Sequence, residues 1–108
     1  MKPFLVFWKT LIAEILNLSK KEANKVEEET IKETIKILEK AKADFKRWVL
    51  LYAEGKLTSE ELWWLIQADE NLGEMVMLRQ KGWTKDNLDN FMEEVYMIIS
   101  STITKTLN

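Results

Sequence analysis

Asp69 is the ionisable residue of this chain whose surroundings could give it chemistry. It falls within residues 57–82, LTSEELWWLIQADENLGEMVMLRQKG, where Leu62, Leu65, Ile66, Leu72, Val76 and Met77 recur at helical spacing and set the carboxyl near the middle of their apolar arc. A carboxylate buried there alone would be costly or would take up a proton, so it should have company. Folding the chain back at Gly55 and again at Gly82 brings Lys42, one residue from the matching position, and Tyr96 level with it. The expectation is a buried Lys42–Asp69–Tyr96 cluster that fixes how the helices align, as polar groups do in helical seams. Beside a solvent-connected pocket the same three groups would form an acid–base site.

The rest of the composition removes most other chemistry. The chain has no Cys and no His, so thiolate nucleophiles, disulfides, the commonest transition-metal ligands and the usual general base are missing. Residues 55–61, GKLTSEE, match the second half of a calcium-binding EF-hand loop. The positions that should supply the early ligands are Leu50, Tyr52 and Glu54, which rules that motif out. Asp86, Asp89 and Glu93 make an acidic ridge that reads as a solvated helix face. No phosphate-cradling loop, serine elbow or metalloprotease motif occurs, and neither a cofactor nor a metal is expected. Sixteen basic against eighteen acidic residues give a net charge of -2, which offers no broad field for nucleic acid.

Capping grammar divides the chain into the elements that must position these residues. An apolar residue, a Ser or Thr, a Glu or Asn three later and another apolar residue occur at Leu18-Ser19 to Glu22-Ala23, Leu57-Thr58 to Glu61-Leu62, and Trp83-Thr84 to Asn87-Leu88. Gly55 and Gly82 stand where a left-handed residue would close a helix. The result is four helices, about 3–17, 20–54, 59–81 and 85–107, in one domain of 108 residues. The fold class is all-α, an antiparallel bundle with one long helix, complete in one chain or completed by dimerisation. Helix two carries a seam of Ile31, Ile35, Leu38, Ala41, Phe45, Trp48, Val49 and Tyr52, and helix four an arc from Leu88 through Phe91, Val95 and Ile99 to Ile103.

Two features ask for a partner. Helix one shows a wide apolar arc that includes Phe4, Phe7, Trp8, Leu11, Ile12 and Ile15, while residues 20–33 beside it offer little to cover it. Each large side chain left wet costs about 1.5 to 3 kcal/mol. A second copy of the chain is the first choice of cover, an intramolecular bundle the next, and a membrane surface, flanked only by Lys2, Lys9 and the Lys20-Lys21 pair, the last. In helix three the neighbours Trp63 and Trp64 point about 100° apart. The arc assigns Trp64 inward and leaves Trp63 and Leu78 as partner-facing residues, with Gly73 inward as a point of close approach. The functional expectation is a cytoplasmic, non-enzymatic protein-binding module, either a homo-oligomeric assembly factor or an adaptor or inhibitor of another protein; the alternative is a membrane-peripheral protein anchored by helix one.

Overall fold

The computed structural model describes residues 2–20 and 26–107. Four α-helices form an all-α bundle: α1 Lys2–Leu16, α2 Glu28–Ala53, α3 Ser59–Gln67 and α4 Lys85–Leu107, with short 3-10 segments at Asn17–Lys20 and Leu72–Met77. No strand occurs among the described residues.

The start signals at Thr58 and Thr84 and the end signal at Gly55 work as the sequence implies, whereas Gly82 is left-handed in a turn and closes no helix. Thr58 accepts the Glu61 N–H, and Glu61 accepts the Thr58 N–H at 2.9 Å, closing both amides at the head of α3. At the head of α4 Asn87 takes the role of the Glu, accepting the Thr84 N–H at 2.9 Å while Thr84 Oγ1 accepts the Asn87 N–H at 3.2 Å. Gly55 and Gly82 adopt φ of 77° and 85°, a left-handed conformation that L side chains rarely adopt.

The long helix is shorter than expected. It begins at Glu28 rather than near residue 20, and Lys20 belongs to the 3-10 turn that follows α1. The expected cap partner Glu22 lies outside the described residues, and Ser19 turns its hydroxyl back to donate to the Leu16 carbonyl at 3.0 Å. The N-terminus of α2 is closed by a distant residue. Gln80 Oε1 accepts both the Glu27 N–H and the Thr30 hydroxyl at 2.9 Å, across about fifty residues of chain. An unpaired amide at a helix end needs an acceptor, and a side chain brought by tertiary structure serves as well as a local Ser or Thr.

The expected helix over 59–81 is also broken. α3 stops at Gln67, with Ala68 as its C-cap at φ -87° and ψ 0°, and Asp69 accepts the Asn71 N–H at 2.8 Å. Asp and Asn compete with the helix by bonding nearby backbone, and the DEN run followed by Gly73 gives them the opportunity. The 3-10 turn follows, and the chain leaves it extended at Leu78. Gly73 is exposed, with nothing within 4 Å of where a Cβ would sit, so the expected close approach does not occur there.

These two interruptions decide the packing. With α1 ending at Leu16 and α2 beginning only at Glu28, α1 lies against the middle of α2: Phe7 meets Phe45 edge-on at 6.5 Å, and the Lys42 ammonium lies 5.0 Å from the centre of the Trp8 ring. On its other side α1 packs along α4, and Lys105 bonds Glu14 at 2.9 Å where their C-terminal ends meet. α3 and the second 3-10 segment fold back along α2. One continuous core results, with Phe7, Leu11, Ile15, Leu38, Phe45, Val49, Leu62, Ile66, Leu72, Met75, Val95 and Ile99 fully buried. Burying a side chain of this size contributes about 1.5 to 3 kcal/mol, so α1 is a structural member of the bundle.

Candidate functional site

Asp69 is 6% exposed, as its apolar neighbours require, but it sits in the break after α3 and not on a helix face. Its carboxyl accepts the Asn71 N–H, and the Asn71 amide reaches the Lys40 carbonyl on α2 at 3.5 Å, tying the turn to the long helix. Across from it stands Asp44 of α2 rather than Lys42. Burial raises the Asp69 pKa above the ordinary carboxylate value; the Asn71 N–H pulls it down in part, and the Asp44 carboxyl pushes it up again. Tyr96 of α4 belongs to the same neighbourhood. Its hydroxyl is held above the usual tyrosine value by burial first and then by the Asp69 charge, and its ring meets Trp63 edge-on at 6.1 Å.

The structure thus brings Asp69 and Tyr96 together and sends Lys42 elsewhere. The shift from Lys42 to Asp44 has a geometric cause: the matched positions assume that α3 continues as a helix through residue 69, whereas the chain has already left it. Lys42 lies over Trp8 on the α1 side of α2, where a cation on an aromatic face is attracted without desolvating a carboxylate. Asp44, which pairs with Arg47 at 3.1 Å, is the member of the group that the sequence reading missed. The available signal was the helical spacing of Ala41, Phe45 and Trp48, which places 44 beside the seam.

Two carboxyls facing each other can share one proton, and a partly buried pair can act as an acid–base couple where substrate reaches it. Two surface depressions among the described residues are lined by other side chains. One, of about 440 Å³, runs between the 3-10 turn and α4, with Val76, Leu78, Trp83, Leu88 and Met92 as apolar walls and Arg79 and Lys85 as cations. Arg79 is held there by Nη1, which donates to the Val76 and Leu78 carbonyls. A shallower one, of about 370 Å³, is formed by Leu57, Glu61, Trp64, Leu65 and Ala68 on the outer side of α3. Among the described residues no group of three or more acidic, His or Cys side chains is placed to hold a metal ion.

The chain matches no protein-family model, no curated protein and no solved structure compared with it. Its surfaces must therefore be read from their own chemistry.

The partner-facing assignments change sides. Phe4, Phe7, Trp8, Leu11 and Ile15 are buried within their own chain and Ile12 is half-buried against the core, so none of them presents a free face. Leu78 is 3% exposed, and Trp63 is half-buried against Tyr96. It is Trp64 that faces solvent, at 73% exposure, with Val76 and Met77 also outward. The arc drawn over 57–82 averaged two segments that do not share a helix axis. Over α3 alone the inward positions are Leu62, Ile66 and Trp63, at spacings of four and three, and Trp64 falls outside.

Proposed function

We propose that this chain is a non-enzymatic protein-binding module that acts in the cytoplasm as an adaptor or inhibitor, engaging another protein through the outer side of α3. The observation that carries the reading is Trp64. It is the most exposed large apolar side chain described, and it stands in a shallow apolar depression with Leu57, Leu65 and Ala68. Tryptophan can bury on the order of 150 to 250 Å² and is enriched among residues that dominate binding energies. Glu61 at the rim is held by its bond to the Thr58 N–H, so the depression has a fixed polar edge.

Support for binding over catalysis comes from Asp69, whose bonds run to Asn71 and whose neighbours Asp44 and Tyr96 line neither of the two depressions described above. The case for a second copy rested on a helix one with no cover. With that helix folded into its own bundle, a heterologous partner is the better reading.

Site-specific photocrosslinking tests this. A benzoyl-phenylalanine placed at Trp64 in cells should give a discrete adduct with one other protein, absent when the probe stands at exposed Lys36 of α2. Equal or absent adducts at both positions, or an adduct of the mass of a dimer, would overturn it.

A further inference from the structure

α1 is apolar nearly all round, and a helix of that kind is normally covered on every side. Its inward face, Phe4, Phe7, Trp8, Leu11 and Ile15, is buried, yet Leu5, Val6 and Leu16 remain 54%, 51% and 49% exposed on the outward face, with Ala13 and Lys9 between them.

Charge is distributed unevenly around this helix. Eighteen acidic against sixteen basic residues give the chain its net charge of -2, but within residues 3–20 and 95–107 the one acid is Glu14, against Lys9, Lys20 and Lys105. Glu14 is matched at 2.9 Å by Lys105 of the neighbouring α4. At the flank, Leu5 and Phe4 share an open depression with Lys42 and Lys46 of α2, where Glu39 is the one acid. The outward apolar ridge is therefore edged by cations on a protein that is acidic elsewhere.

We propose that the outward face of α1, with Lys42 and Lys46 at its flank, docks on an anionic lipid bilayer. Apolar side chains entering the headgroup boundary together with lysines facing anionic headgroups are the two signals that peripheral attachment needs. A second copy fits the face less well, because a two-fold contact apposes the same patch on both subunits and so doubles an excess of lysines, Lys9, Lys42 and Lys46 against Glu39. Among the described residues no helix is long and apolar enough to cross a membrane, and the proposal is of attachment at the surface. The inference goes beyond the protein-binding reading and uses a different face.

Vesicle flotation of the full chain tests it, with phosphatidylcholine alone and with one third phosphatidylserine. The wild type floats with the anionic vesicles and not with the neutral ones, and added salt weakens the attachment. Leu5→Ser with Val6→Ser, and separately Lys9→Glu, lower the bound fraction at least about tenfold, with helix content unchanged by circular dichroism because all three positions are exposed. Trp64→Ser floats as the wild type does, which separates failure of this inference from failure of the protein-binding one. Absence of flotation with anionic vesicles overturns the inference, and so does flotation that the Leu5, Val6 and Lys9 variants leave unchanged. A solution dimer that Leu5→Ser with Val6→Ser dissociates would assign the face to a second copy instead.

Discussion

Substitutions at Asp69 distinguish a carboxyl that organises the turn from one that is ion-paired. Asp69→Ala removes the acceptor of the Asn71 N–H, a 2.8 Å bond to a charged group. Bonds of that kind contribute about 1.5 to 3 kcal/mol, so the loss should be about 2 kcal/mol, with the break after α3 loosened. Asp69→Asn keeps an oxygen for the same N–H and removes the charge that faces Asp44. Because burial and Asp44 raise the Asp69 pKa, the folded chain holds that proton more tightly than the unfolded chain does. The stability this group supplies is complete below the unfolded carboxylate value of about 4 and is lost as the pH rises through the higher folded value. At pH 7 the charge is therefore unfavourable, and Asp69→Asn should be neutral or stabilising there while giving no gain at pH 4.

The Asp44 partner makes the same reasoning sharper. If the two carboxylates repel at pH 7, Asp44→Asn relieves what Asp69→Asn relieves, and the double variant gains less than both singles together. The Asp44 side chain is 35% exposed, so solvent screens the repulsion and the non-additivity should be near the low end for contacting residues, about 0.5 to 1 kcal/mol. Lys42→Met with Asp69→Asn should add to within about 0.5 kcal/mol, because Lys42 is engaged with Trp8. Urea unfolding followed by circular dichroism at pH 7 and pH 4 measures all of these. The reasoning fails if Asp69→Asn loses as much as Asp69→Ala at pH 7, or if Lys42 and Asp69 prove strongly coupled while Asp44 and Asp69 do not.

Three further outcomes follow from the packing. Gln80→Ala should cost about 1 to 2 kcal/mol, since it strips the acceptor from the Glu27 N–H and the Thr30 hydroxyl, and amide exchange should rise first at the head of α2. Phe7→Ala should cost about 3 to 5 kcal/mol in chemical unfolding, independent of protein concentration, because Phe7 is buried within its own chain; a concentration-dependent midpoint would point to intersubunit packing. Leu78→Ser should destabilise by at least about 2 kcal/mol while Trp64→Ser stays within about 0.5 kcal/mol, the reverse of the order that the helical arc over 57–82 implies.

Local physics made part of this protein legible from its residues. Thr58 with Glu61, Thr84 with Asn87, and the left-handed Gly55 and Gly82 involve groups at most three residues apart, so the sequence alone places those helix starts and turns. The same holds for the inward faces of α2 and α4, whose uninterrupted 3.6-residue period runs from Ile31 to Tyr52 and from Leu88 to Ile103. That Asp69 is buried also followed from its apolar surroundings.

Tertiary structure decided the rest, through competitions that periodicity does not record. The apolar spacing across 57–82 suits a helix, but Asp69 bonding the Asn71 N–H ends it after Gln67, and beyond that point Gly73, Val76 and Met77 face outward while Leu72 stays buried. Trp63 and Leu78 turn inward, Trp64 turns outward, and Asp44 takes the place of Lys42. The head of α2 is capped by Gln80, a partner about fifty residues away that no local pattern could name. Helix one, for which a second copy of the chain was the first choice of cover and an intramolecular bundle the next, is covered within its own chain, against Phe45 of α2 and along α4. What the amino-acid order determined by itself is where α3 and α4 begin, where α2 ends and which faces of α2 and α4 are apolar; where α2 begins, where α3 ends and which way Trp63, Trp64 and Leu78 face depended on partners that only the folded chain brings together.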